Sequence, residues 1–435
     1  MEFWRDANVA DASTGRDRRE WRVDRESDVI IVGGGIAGAA LATVLARNGI
    51  AVTMLERQEQ YQDIVRGEFF GTWGITEAVR LGLGDCLLEG GAWPLRWWRQ
   101  WDETVHPDDA PATDMALAHP STPGINGPVT ISHYATCAAL ARAAEAAGAR
   151  VVRGARRTLV CPDGGRPTVR YEVAGRQRTQ ACRIVVGAGG RNRRTAKQAG
   201  IKVDMQVLHW GGGLAIEGLT DWPDDTQALG TEGNLNFIIL PQGGGRARLY
   251  FNTDAENLKR FSGPSGARNL LQAFDLKSVP GSEEIASARP AARLGCLAST
   301  NSWTESPVTD GVVLIGDEAG MNAAILGTGL GNSLRDVSKV SEALLTESDW
   351  SPAAFRGYAT ERTQRMRTMM QAARVMAQLF VEFDDAAVMR RKRAFELMNS
   401  NRSYAMFLHL VLAGPDAFPK GPFGDYLEER LLTTA

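Results

Sequence analysis

The sequence predicts an α/β fold in which a strand–helix–strand part is assembled from separated segments, a mostly antiparallel sheet is inserted, and helices close the chain. Three observations predict it. Residues 28–57, "DVIIVGGGIAGAALATVLARNGIAVTMLER", run from a short apolar stretch through a glycine turn and helical spacing into a second apolar stretch. Residues 203–290 change to period-2 alternation broken by turns, as in "LNFIILPQGGGRARLYFN". At residues 312–315 the first style returns, with a buried apolar run and a glycine-rich turn.

The elements follow in order. Val29 to Val32 reads as a buried strand; Ile36, Ala40, Leu41, Val44 and Leu45 recur at helical spacing; Gly49 suits a helix C-cap; Val52 to Leu55 is the next strand. Before this unit, residues 1–27 are dense in alternating charge with no apolar centre, so a loose leader is expected rather than a signal peptide. Residues 69–130 lose the pattern and carry Trp93, Trp97, Trp98 and Trp101, which could cover an entry or a loop. Residues 135–148 form an alanine-rich helix, residues 151–173 alternating strands, and Ile184 to Val186 a buried strand. The triplets in "WGGGLAI" and "PQGGGRARLYF" lead into alternation and read as bulge or hairpin glycines. Leu330, Leu334, Val337, Val340 and Leu344 mark a helix behind the late turn; residues 353–412 read as further helices with their arginines on the outer face.

Composition bounds the function. With 49 basic against 51 acidic residues in 435, and a net charge of −2, no global field favours nucleic acid. Five cysteines lack paired spacing, so neither a metal site nor a disulfide framework is expected, and the reading is a reducing cytoplasm. The longest apolar stretch, Ile31 to Ala46, is interrupted by glycines and falls short of the roughly 20 residues of a spanning helix. Whether the chains pair as a homodimer stays open.

Gly33, Gly35 and Gly38 have the G-x-G-x-x-G spacing between a strand and a helix. Such glycines let backbone N–H groups and a helix N-terminus approach a pyrophosphate. Glu56 ends the following strand, where a carboxylate can accept from a ribose diol, with Arg57 beside it. A dinucleotide has a second half, and "GDEAGMNAAILGTGLGN", residues 316–332, can serve it. Asp317 suits a hydroxylated chain, while Gly327, Gly329 and Gly331 lead into a helix whose positive end faces a ligand atom that becomes anionic. Reduced flavin has such an atom, and nicotinamide does not.

On these motifs the chain resembles the class A, single-component FAD-dependent aromatic hydroxylases of the para-hydroxybenzoate hydroxylase type, over residues 28–365. The resemblance implies a Rossmann-like FAD-binding domain of the GR2 type in residues 28–90, 125–200 and 290–350. A substrate domain would comprise 91–124 and 201–289, and a helical region 351–435. It implies that Gly33, Gly35, Gly38 and Glu56 hold ADP, that Gly316 and Asp317 bind the ribityl chain, and that Gly327 to Asn332, Gly329 and Leu330 included, meet the isoalloxazine. Arg66, in "VRGEFF", is placed near the flavin, and His133, in "ISHYATCAAL", where an Arg or Gln contacts the cofactor. The implied reaction uses NAD(P)H and O2 to hydroxylate a phenolic or polycyclic aromatic small molecule through a flavin C4a-hydroperoxide, with no protein nucleophile and no metal.

Two departures stand out. The late loop lacks the histidine and proline of the related G-D-A-A-H pattern. In "VVGAGGRNRRTA", residues 185–196, Gly189, Arg193 and Ala196 replace the aspartate, serine and arginine of the G-A-D-G-x-x-S-x-x-R fingerprint. That leaves direct reduction by NAD(P)H less secure than FAD binding, with a separate reductase, or a non-catalytic flavin-binding redox protein, as alternatives. Arg191, Arg193 and Arg194 could meet phosphates or form a solvated turn. Phe69, Phe70, Trp73, Trp210, Phe237, Tyr250 and Phe251 are candidates for a substrate pocket, with His209 a candidate to deprotonate a phenol. A halogenase or prenyl-chain reductase is the alternative within the superfamily, but "RWWRQW" does not supply the halogenase W-x-W-x-I-P signature.

Overall fold

The computed structural model describes residues 22–23, 26–106, 108, 115–117, 119–122, 125–162, 166–418 and 422–433. The expected leader therefore lies outside the described residues, except for Arg22–Val23 and Glu26–Ser27. The first of these pairs is a short strand alongside Arg178 and Thr179.

The first unit has the expected form: strand β1 (Val29–Val32), helix α1 (Ile36–Arg47) and strand β2 (Val52–Glu56). Chain order continues with β3 (Trp97–Asp102), α2 (His133–Ala146), β4 (Arg150–Arg153) and β5 (Ile184–Gly187). Next come β6 (Asp204–Glu217), β7 (Thr226–Glu232), β8 (Leu235–Gly243), β9 (Arg246–Thr253) and β10 (Gly295–Trp303). The last described elements used here are β11 (Val312–Leu314), α3 (Gly329–Thr346), α4 (Arg356–Phe380) and α5 (Asp385–Ser400).

The parallel sheet draws β4, β2, β1, β5 and β11, in that order, from three separated segments, and Val308–Thr309 closes its edge antiparallel. Its strands are apolar on both sides, as a sheet covered on two faces requires; Ile30, Val185, Val186 and Val313 have no exposed surface. Because β1, β5 and β11 are neighbours, the turns that leave their carboxyl ends come out side by side.

The second sheet runs β10, β6, β9, β8, β7, β3 through its centre, antiparallel except for β3 on β7. Gly244 and Gly245 make the β8–β9 turn at positive φ, and the Gly211–Gly213 run follows a register shift at Val207/His209. In the tryptophan-rich segment Trp93 lies in a short strand, Trp93–Pro94, and Trp97, Trp98 and Trp101 lie in β3. Trp97 is exposed, but Trp98 packs on one face and Trp101 on the other, so the period-2 signal vanishes.

The C-terminal helices also depart from expectation. Arg362, Arg365 and Arg391 are not on an outer face: all three are buried. Arg391 of α5 donates from Nε to the buried Asp102 of β3 at 2.7 Å and from Nη2 to Glu103 at 2.5 Å, fixing the helix to the sheet. Removing one partner of a buried ion pair leaves the other charge desolvated and alone. Asp102→Ala is therefore expected to cost about 3–5 kcal/mol in urea denaturation. A loss below about 1 kcal/mol, the range of an exposed pair, would contradict the buried-clamp account.

Candidate cofactor and active site

The early turn leaves β1 with Gly33 at φ +114°, and a Cβ there would lie 2.3 Å from the Ala188 carbonyl oxygen. A Cβ at Gly38 would lie 1.9 Å from the Gly33 carbonyl oxygen, so neither position tolerates a side chain. Gly35, by contrast, has open space where its side chain would be. Glu56 is buried at the end of β2 and accepts the Gly34 N–H at 2.8 Å and the Gln58 N–H at 2.7 Å. Arg57, next to it, is exposed.

The late turn leaves β11 with Gly316 at φ +60°. A Cβ there would stand 3.3 Å from both Ala37 Cβ and Ser333 Oγ, so the late turn touches the first residues of α1. The helices after the two turns share one core through Ile36, Ala37, Leu330 and Leu334. Neither helix has a side-chain cap or an acid in its first turn. At α3 the Thr328 hydroxyl, which could have capped, donates instead to Asn322 Oδ1 at 3.1 Å. Two helix N-termini thus converge with neither a side-chain cap nor an acid in the first turn, a setting that favours negative charge.

Asp317 lies half-buried in the late turn. Burial pushes its carboxyl above the usual carboxylate range, opposed by the guanidinium groups of Arg191, Arg66, Arg193 and Arg362. Arg66 is exposed on the loop that faces this turn. Three bonds hold that loop by its backbone and by Glu68. Tyr250 donates its hydroxyl to the Arg66 carbonyl at 2.6 Å, Arg248 donates to Glu68 at 2.5 Å, and His133 Nδ1 lies 2.9 Å from the Gly67 carbonyl. A carbonyl only accepts, so His133 carries its proton on Nδ1.

The profile of the FAD binding domain family matches residues 26–373. The chain belongs to this family. In fold it is similar to p-nitrophenol 4-monooxygenase from Pseudomonas putida DLL-E4, with a TM-score of 0.75 at 15% identity over 94% of this chain and 98% of that one. It is likewise similar to the flavin-dependent halogenase CmlS, with a TM-score of 0.72 at 16% identity over 94% of this chain and 76% of that one. In sequence, 79 residues are 40% identical to squalene epoxidase 2, mitochondrial, of Arabidopsis thaliana, a stretch that is 18% of this chain and 14% of that protein.

For an FAD-binding chain, both sequence departures have structural answers. In place of a proline, the late loop is held by polar side chains. Asn322 Oδ1 also accepts from Asn332 Nδ2 at 2.9 Å, and Asn332 Oδ1 accepts from Arg365 at 2.9 Å. Arg362 donates to the carbonyls of Gly316, Ala319 and Gly320 at 3.1, 3.1 and 2.8 Å. Asp336, with no exposed surface, accepts the Gly316 N–H at 2.8 Å and pairs with both arginines. At the altered fingerprint, Arg191 donates to the Ala298 carbonyl at 2.7 Å and Arg193 to Ser302 Oγ at 2.6 Å. These two are partly buried ties to β10, while Arg194, which opens the following short helix, is exposed.

The pocket candidates divide by strand parity. Phe69 lies near Gly327, Trp73 lies against Gly331, and both pack in one cluster with Tyr250. Phe70 sits behind them in the core of the parallel sheet. Phe237 and Phe251 point away, because cross-strand partners Gly212, Phe251 and Phe237 share the far face of the second sheet; Trp210, two residues before Gly212, alternates onto that face too. There Phe237 meets Phe274 edge-on with centroids 6.3 Å apart. Trp210, Phe237 and Phe251 thus lie on the face opposite Tyr250, which packs with Phe69 and Trp73. His209 is buried with Nε2 unpartnered, and burial pushes it down to about 4. The sequence reading missed Asp336, Arg362, Arg365, Asn322, Arg248 and Glu68. The one available signal was the charged spacing Glu361, Arg362, Arg365 on a helix whose Ala372 and Ala373 are buried.

Burial also pushes His133 down to about 4. An unfolded histidine takes its proton near pH 6.5, so between about 6.5 and 4 the unfolded chain binds more protons than the folded one. Stability is expected to fall as pH drops through that window. Urea midpoints at pH 7 and 4.5 measure it, and His209→Gln should flatten the dependence. An unchanged slope in that variant would contradict a neutral buried His209.

Proposed function

We propose that the protein is an FAD-dependent monooxygenase that uses NAD(P)H and O2 to place one oxygen atom on a phenolic or polycyclic aromatic small molecule. The observation that carries this reading is the contact of Gly316 with Ala37, which puts Asp317 and the start of α3 beside the start of α1. A dinucleotide can then be held at both ends: its adenosine ribose at Glu56, its pyrophosphate at Gly33, Gly35 and Gly38, its ribityl chain at Asp317, and its ring at Gly327, Gly329, Leu330 and Asn332. FAD supplies hydride acceptance and activation of dioxygen. The protein's own residues orient it and limit water.

Each residue has a task set by its chemistry. The open N-terminus of α3 offers N–H groups to charge on the ring, an electrostatic contribution that needs no protein nucleophile. Asp317 offers a carboxylate to hydroxyls, with Arg66, Arg191 and Arg193 balancing its charge. Tyr250 and His133 fix the backbone of the Arg66 loop, so the guanidinium is presented from a held position. Phe69, Trp73 and Tyr250 provide the apolar side of a substrate space between the late turn and the second sheet.

The local likeness to squalene epoxidase 2 favours a second reading of the same chemistry, oxygen transfer to a hydrocarbon double bond. Purified FAD-loaded protein should oxidise NADH or NADPH faster in the presence of an accepted substrate, and mass spectrometry should find a product heavier by one oxygen atom. Phenols, polycyclic aromatics and squalene form the arms that separate the two readings. Flavin that is reduced only by dithionite or by an added reductase would contradict the single-component reading.

A further inference from the structure

The turn at residues 187–190 has no acid of its own, yet an acid stands in it. Glu318, next to Asp317, has no exposed surface. Its Oε1 accepts the Ala196 N–H at 3.1 Å, and the N–H groups of Thr195 and Gly189 also face the carboxyl. A Cβ built on Gly189 would lie 2.8 Å from Glu318 Oε2, so a side chain at 189 would require that carboxyl to shift. Gly189 and Glu318 therefore compete for one volume, and the carboxyl group in it comes from the late turn rather than from position 189.

We propose that Glu318 is a positioning residue for FAD: it supplies, from the late turn, the acid that position 189 lacks, and so locks the 187–196 turn to the segment that carries Asp317. The proposal rests on the FAD reading above. Its physical basis is the satisfaction of backbone donors. Without the carboxyl, the N–H of the buried Ala196, near the start of a short helix, would lose its acceptor, and a buried unpaired donor is costly. With it, the strand-end turns after β5 and β11 become one body. Arg193, which faces the same carboxyl, is tied to Ser302 and extends the lock to β10.

A mutant cycle tests the pairing. FAD dissociation constants are measured by flavin fluorescence on apoprotein of the wild type, Glu318→Ala, Gly189→Asp and the double variant. The flavin absorption envelope and the apoprotein melting temperature are recorded alongside. Glu318→Ala is expected to weaken FAD about tenfold or more, through the lost acceptor. Gly189→Asp alone is expected to weaken it as well, since its side chain starts against Glu318. The double variant, with the acid returned to position 189 and space made for it, should recover to within about threefold of the wild type and regain its absorption envelope. Glu318→Gln, which keeps an acceptor for Ala196, should fall between wild type and Glu318→Ala, and it serves if the alanine variant does not fold. Losses that multiply in the double variant would overturn the proposal, as would a lowered melting temperature in Glu318→Ala with unchanged FAD affinity. A wild type with no affinity for FAD would overturn the underlying cofactor reading and the proposal with it. A wild type that binds FAD, with no rescue in the double variant, overturns the pairing alone.

Discussion

One buried carboxylate sets the geometry of the site. Asp336, inside α3, has no exposed surface and lies between Arg362 and Arg365 of α4, at 3.1 and 2.6 Å. It accepts the Gly316 N–H, and the two guanidinium groups use further N–H donors on Gly316, Ala319, Gly320 and Asn332. Buried charges are tolerated when every donor and acceptor is used, and breaking such a set costs several kcal/mol. Glu361 completes the charge balance on Arg365 at 3.0 Å. The late turn is thereby shaped by helices outside it.

From that constraint the rest of the site follows in steps. A fixed Gly316 permits close approach to Ala37, which aligns the starts of α1 and α3 at the carboxyl ends of β1 and β11, the parallel strands on either side of β5, the place where open α/β sheets bind ligands. Glycine at the approach points keeps the backbone N–H groups reachable. The second sheet contributes from the other side, where Arg248 and Tyr250 hold the Arg66 loop through Glu68 and a backbone carbonyl. Three separate layers thus converge on one region, which explains why no single segment of the chain contains the site.

The parts legible in the sequence were those governed by local rules. The β1–α1–β2 unit announces itself through glycine spacing, helical periodicity and a strand-end acid, all within 30 residues. The late turn was legible for the same reason. What escaped is governed by tertiary context. Strand β3 buries Trp98 and Trp101 on opposite faces, so its tryptophans show no alternation. Arg362, Arg365 and Arg391 were placed outside because arginine is seldom fully buried, a rule that gives way when carboxylates such as Asp336 and Asp102 wait inside. Parity decided the aromatic residues: Tyr250 and Phe251 are adjacent in sequence and on opposite faces of the sheet, a distinction that depends on which face the site occupies. Glu318 was unread because the acid expected at position 189 was sought in its own segment.

The central claim is that two remote turns grip opposite halves of one FAD. Hydrogen exchange followed by mass spectrometry, with and without added FAD, tests it most directly. The account predicts that FAD slows exchange in peptides covering residues 33–38 and in peptides covering residues 316–332 together, at the same ligand concentration. Protection confined to one of the two, or found only elsewhere in the chain, would contradict it.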